Sequence, residues 1–183
     1  MQVKYSDLKN KRVFITGGGS GIGASIVEHF CEQGSEVYFV DINLKETKKL
    51  LNKIKKNKFR APIFIECNLL DINKLEKIIR NIITQKGPIH ALINNAANDD
   101  RHTTDEVDEK YWENRIAINL KHYFFAAKAV VKSMKKIKAG SIVNLSSVSW
   151  MLGEGDKVVY ETAKSAVVGL TRSFAQEYGK YNI

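Results

Sequence analysis

Ser147, Tyr160 and Lys164 follow one another in the last third of the chain, and all three can take part in proton transfer. Tyr160 and Lys164 are an i, i+4 pair, so on a helix both project from one face. A free phenol with a pKa near 10 is only about 0.1% phenolate at pH 7. A neighbouring ammonium favours the charged form. A shift of roughly 2–3 units, about 3–4 kcal/mol, would bring a tyrosine base near its working pH. Ser147 follows an apolar run that ends Asn144-Leu145-Ser146. That places it at the carboxyl end of a strand, where open α/β sheets bind ligands, and its hydroxyl can hydrogen-bond a substrate oxygen. Each residue alone has a plainer explanation: a half-buried aromatic, a surface lysine, a loop serine. The ordered combination makes Tyr160 the candidate proton-transfer residue.

A second group is suited to phosphates. Gly17, Gly18, Gly19, Ser20, Gly21, Ile22 and Gly23 follow an apolar strand-like run and open a helix. Gly17 can turn the chain, Gly21 lets backbone approach a pyrophosphate, and Gly23 lets the helix pack close to a sheet. The helix N-terminus adds free N–H groups and positive partial charge. The spacing is Gly-x-x-x-Gly-x-Gly, and by itself it is equally a tight strand–helix turn. Asp41, at the end of the next strand, can accept hydrogen bonds from ribose hydroxyls and would repel a 2′-phosphate. No arginine stands beside it, so NAD is favoured over NADP.

These residues need elements to hold them. Strand-like runs at Arg12–Thr16, Glu36–Val40, Pro62–Cys67, His90–Ile93 and Ser141–Leu145 alternate with helix-period segments. The helices are expected to about Gln33, over Leu44–Lys56, over Asp71–Gln85 with Asp71 as N-cap, over Asp108–Lys135 and over Val159–Tyr178. Short, continuous, β-branched strands suit a parallel sheet buried on both faces. Strict β-α alternation predicts a doubly wound α/β (Rossmann) fold, a three-layer α-β-α arrangement with a mostly parallel sheet. Residues 1–183 read as a single NAD(P)-binding Rossmann domain.

Composition excludes several other classes. The chain has 183 residues, 44% hydrophobic and 27% charged, as in an ordinary globular domain. It has no apolar run long enough for a membrane span and no apolar leader, which makes the cytoplasm the default location. The net charge of +9 permits nucleic-acid binding, but the lysines interleave with Leu50, Leu51 and Ile54 as on a solvated helix face, so no nucleic-acid partner is expected. Cys31, Cys67 and the histidines lack ligand spacing, and no metal is expected.

The motifs together resemble the short-chain dehydrogenase/reductases along essentially the whole chain. The matching pieces are Thr16–Gly23, Asp41, Asn94-Asn95-Ala96-Ala97, Asn119, Ser147 and Tyr160-Glu161-Thr162-Ala163-Lys164. The resemblance implies that Asn95 and its neighbours steady the sheet beside the cofactor and that Asn119 holds a water in a proton relay. Lys164 would bind the nicotinamide ribose as well as assist Tyr160. It also places Asn68 and Leu69 near the adenine, with Asn68 where the family has an acidic residue, and Ala97 where it has glycine. Within the family the chain is similar to NAD-dependent aldose 1-dehydrogenases of the D-xylose type, on Asn98-Asp99-Asp100-Arg101-His102, Tyr111–Arg115 and Ser147–Gly153.

Asn98–His102 is a dense cluster of hydrogen-bonding groups, and Ser149 and Trp150 follow Ser147. A polar loop with one indole suits a small sugar; the loop is equally explained as a surface loop held by an Asp–Arg pair. The implied reaction passes a hydride from an aldose C1 hydroxyl to NAD and yields a lactone, with Asn98, Ser147, Ser149, Trp150 and Tyr160 contacting substrate. The alternatives are another alcohol dehydrogenase or 3-oxoacyl reductase of the family, or a non-catalytic nucleotide-binding protein. The resemblance further implies a homodimer through the helices at 108–135 and 159–178. Relative to the family pattern the chain stops before a sixth strand, a substrate lid and a seventh strand. It is therefore expected to be a truncated form, open on one side of the pocket and slow in turnover.

Overall fold

The structure, a computed structural model, describes residues 3–183. Five strands, β1 (Arg12–Thr16), β2 (Glu36–Asp41), β3 (Ile63–Glu66), β4 (Ala91–Asn94) and β5 (Ser141–Asn144), form one sheet in the order β3-β2-β1-β4-β5. All four pairings are parallel. The chain therefore winds outward from β1 to β3, then crosses back to lay β4 on the other side of β1. That reversal leaves a crevice at the carboxyl ends of β1 and β4, where open α/β sheets bind ligands.

The helices are α1 (Gly21–Glu32), α2 (Leu44–Lys56), α3 (Ile72–Lys86), α4 (Glu109–Ile116), α5 (His122–Ile137), the single-turn α6 (Ser149–Leu152) and α7 (Val158–Tyr178). α1 and α2 cover one face of the sheet: Val27 and Cys31, with Leu50 and Ile54, pack on Val13, Ile15, Val37 and Phe39. α3, α5 and α7 cover the other, where Leu75, Ile79, Ala126, Val130 and Phe174 meet Phe14, Tyr38, Val40 and Leu92. The lysines of α2 lie outside its buried Thr47, Leu50 and Ile54, as a solvated face requires. Both cysteines are buried, and burial pushes the Cys31 thiol up to about 12.

Local capping explains several helix starts. Asn43, Asp71 and Asp108 each accept the backbone N–H three residues on, from Glu46, Lys74 and Tyr111 respectively. One expected helix is corrected. The segment expected as continuous over 108–135 is α4 and α5 joined by a π-helical turn, Ala117–Lys121, and Asn119 is buried in that turn. The i→i+5 step rotates the helix face, so residues before and after it do not keep the simple 3.6-residue register.

Candidate active site

The glycine turn sits at the sheet's reversal point. Gly23 packs so tightly that an added Cβ would fall 1.9 Å from the Gly17 carbonyl oxygen. Gly21 is the opposite case: it has φ +53°, and a Cβ there would meet nothing within 4 Å, because it would point into open groove. Ser20 makes no side-chain cap to α1, which leaves the first-turn N–H groups of the helix free. A groove of about 490 Å³ runs from here past Asp41 and Ile42, then Asn68 and Leu69, to Asn95–Asp99 and Ile118. An open cradle at a bare helix N-terminus, with glycine where a side chain would intrude, fits a dinucleotide pyrophosphate.

Asp41 is held in place at the rim. Its Oδ2 accepts from the Gly19 amide at 2.7 Å, and its Oδ1 accepts from the Ile42 and Asn43 amides at 2.8 Å each. Asn95 ties the groove floor to the turn: its Nδ2 donates to the Thr16 and Gly17 carbonyls, and its amide donates to Thr16 Oγ1. Asn68 Oδ1 accepts from the Leu70 amide, and Leu69 is buried.

Tyr160 and Lys164 lie on α7 as the i, i+4 pair the spacing predicts. The surroundings of Lys164 are less expected. Its side chain lies on the buried stripe with Val159, Ala163 and Val167, and it is 1% exposed. Nζ donates to Leu145 O at 2.7 Å and to Tyr123 Oη at 2.8 Å. It stands 5.7 Å from the centroid of the Tyr160 ring. Burial lowers its pKa from 10.5 to about 8. Ser146 Oγ donates to the Lys164 carbonyl at 2.7 Å and so pins α7 to the end of β5.

Ser147 and Ser149 hydroxyls share a hydrogen bond at 2.8 Å, and the Ser149 amide donates to Ser147 Oγ at 3.2 Å. Ser149 was expected to face substrate; it is buried and turned onto Ser147 instead. Trp150, beside it on α6, is exposed. Asn119 clasps the loop after β4: Oδ1 accepts from the Asn98 amide at 2.8 Å, and Nδ2 donates to the Asn98 carbonyl at 2.9 Å. The Asn98 side chain accepts from the Asp100 amide. Ion pairs fasten the rest of this loop, Arg101 to Asp156 and Arg115 to Asp100. The Asp–Arg explanation of the loop is thus realised, and of the cluster Asn98, the expected substrate contact, and Asp99 line the groove.

Three residues join the site in roles not read from the sequence. Tyr123, buried on α5, bridges Lys164 to Leu145. His122, whose Nε2 donates to Ala96 O at 3.2 Å, is driven by burial to a pKa of about 3 and so is neutral. Buried His102 accepts the Val159 amide on Nε2 and so holds the first turn of α7, next to Tyr160. The available signal was positional: Tyr123 follows Asn119 by one helical step, and His102 closes the polar cluster.

A crevice of this kind, at a strand-order reversal beside a glycine-rich turn, is found in α/β enzymes that bind dinucleotides. The comparisons narrow the class: the family model "short chain dehydrogenase" matches residues 11–183, and the chain belongs to that family of oxidoreductases. Its members bind a nicotinamide cofactor. The chain is 41% identical to D-xylose 1-dehydrogenase of Caulobacter vibrioides over 98% of its own length and 70% of that protein's. It is 38% identical to the probable galactose dehydrogenase of Rhizobium meliloti over the same shares. Among solved structures, Thermoplasma acidophilum aldohexose dehydrogenase superposes with a TM-score of 0.84 at 31% identity, covering 97% of this chain and 65% of that one. Among the described residues, no helix is long and apolar enough to cross a membrane.

Proposed function

We propose that the chain is an NAD-dependent aldose 1-dehydrogenase, with residues 1–183 acting as one nucleotide-binding and catalytic domain. The observation that carries the reading is the buried Lys164 ammonium one helical turn from Tyr160, at the strand ends beside the groove. The sugar assignment rests on the similarity to the D-xylose, galactose and aldohexose dehydrogenases.

In this reading Gly17, Ser20, Gly21, Ile22 and Gly23 cradle the pyrophosphate, Asp41 takes the adenosine ribose, and Asn68 and Leu69 flank the adenine. When bound, the nicotinamide supplies the two-electron acceptor for the sugar's C1. Ser147, oriented by Ser149, hydrogen-bonds the C1 oxygen. Tyr160 removes the hydroxyl proton, and Lys164 supports the charge that develops there and reaches the nicotinamide ribose. Asn119 fixes Asn98 and with it the groove's far wall. Trp150 offers an apolar face to the sugar. Asp41 excludes a 2′-phosphate by charge, which favours NAD over NADP.

The test is a panel of pentoses and hexoses with NAD and with NADP, followed at 340 nm, with aldonolactone identified in the product. NAD-linked oxidation of an aldose is expected, with kcat lowered by about 10²–10⁴-fold in Tyr160→Phe. Turnover of simple alcohols or 3-oxoacyl substrates with no aldose oxidised would overturn the sugar reading. A higher kcat/KM with NADP would overturn the reading of Asp41.

A further inference from the structure

Tyr123 has no part in the reaction just described, yet it is fully buried and touches the site's lysine. Its Oη stands 2.8 Å from Lys164 Nζ, 3.1 Å from Leu145 O and 3.4 Å from Ala96 O. An ammonium can only donate, so the phenol oxygen accepts from Lys164 and sends its own proton to one of the two carbonyls. One hydroxyl therefore connects α7 to the ends of β4 and β5, and Ala96 lines the dinucleotide groove.

The electrostatic surroundings make this contact matter. Among the described residues no carboxylate pairs with Lys164. α5 presents Tyr123 and His122 to it, with His122 neutral. α7 presents Tyr160, and Lys157, 6.0 Å from the Tyr160 ring centroid, is itself paired with Glu154. The ends of β4 and β5 contribute uncharged groups. A buried ammonium without a counter-ion depends on its hydrogen-bond acceptors to stay charged. Lys164 has two, Leu145 O and Tyr123 Oη.

We propose that Tyr123 is a positioning residue of the proton-transfer site, whose hydroxyl fixes the Lys164 ammonium in place and keeps it protonated. The use of the site rests on the function proposed above; the contact and its effect on Lys164 do not.

The test is a titration of the full chain carrying ¹³Cε-labelled lysine, followed by NMR, with the Lys164 resonance assigned by its loss in Lys164→Met. Tyr123→Phe removes only the hydroxyl and should lower the Lys164 midpoint by about one pH unit, a tenfold change in the ammonium equilibrium. Tyr123→Gln retains an acceptor and should stay near wild type. Should Tyr123→Phe not fold, Tyr123→Met, also without an acceptor, takes its place. In the pH profile of kcat, the limb that follows Lys164 should move with the midpoint. An unmoved midpoint in the variant lacking an acceptor would overturn the proposal even if aldose oxidation is confirmed. A shifted midpoint upholds it even if no aldose is oxidised.

Discussion

Lys164 occupies a position that its helix otherwise reserves for apolar residues, between Val159 and Val167 on the buried stripe of α7. Burial lowers its pKa from 10.5 to about 8. Between those values the unfolded chain binds the proton and the folded chain does not, so stability from this group rises with pH across the window. At neutral pH both states are protonated, and the folded state carries the full cost of the buried charge, about 3 kcal/mol. Lys164→Met removes that charge and leaves the Tyr123 hydroxyl and the Leu145 carbonyl short of a partner, which offsets part of the gain. The difference in Tm, variant minus wild type, is therefore expected to be greatest near pH 7 and to shrink steadily above pH 8. Thermal unfolding followed by circular dichroism across that range reads it directly. A difference independent of pH would mean that the lysine is not held as a desolvated cation. On the proposed function, the same substitution is expected to abolish aldose oxidation, followed at 340 nm.

At the scale of elements, the glycine turn separates two roles that look alike in sequence. Gly23→Ala would drive a methyl group into the Gly17 carbonyl and the Asn95 side chain, both parts of the turn's own scaffold. Gly21→Ala meets no atom and carries only the strain of its positive φ, about 1 kcal/mol. Gly23→Ala is expected to lower Tm by many degrees or prevent folding. Gly21→Ala should fold nearly as well as wild type and lose NAD affinity, measured by calorimetry. Equal stability losses in both would refute this division.

The strands and most helices were legible in the sequence because each is set by its own residues: β-branched runs, the 3.6-residue period, and caps such as Asp71 that lie within a few positions of what they cap. The π turn at Ala117–Lys121, in which Asn119 is buried, was not, since the 3.6-residue period runs on through it and leaves no local mark of the extra residue. The partners of Lys164 were illegible for a related reason. Spacing gives the i, i+4 neighbour Tyr160, whereas Tyr123 is 41 residues away and is brought in only by the way α5 and α7 cover the same face of the sheet. Ser149 looked open to substrate because sequence shows adjacency to Ser147 and not the α6 turn that folds it inward.

For the whole molecule, the faces of α4, α5 and α7 that point away from the sheet remain to be accounted for. Phe124 on α5 is 43% exposed, and its ring centroid lies 6.0 Å from that of Phe174 on α7. Trp112 on α4 and Val168 on α7 are also large, apolar and exposed. α4 packs on α7, and these helices are the ones through which the family resemblance implies a homodimer. Burying their outer face between two copies would also clamp the helix that carries Tyr160 and Lys164 from its outer side, coupling association to the order of the site. The chain is 20.7 kDa, and wild type is expected to sediment at twice that mass. Its Tm should rise with protein concentration, because assembly that favours only the folded state stabilises it by mass action. Phe124→Glu places a charge on the exposed side of the Phe124–Phe174 contact between α5 and α7 and should give a folded monomer whose Tm is independent of concentration. A wild-type chain that sediments as a monomer throughout the micromolar range would show that this face is covered in some other way, and that α7 is held for catalysis by the bonds within one subunit alone.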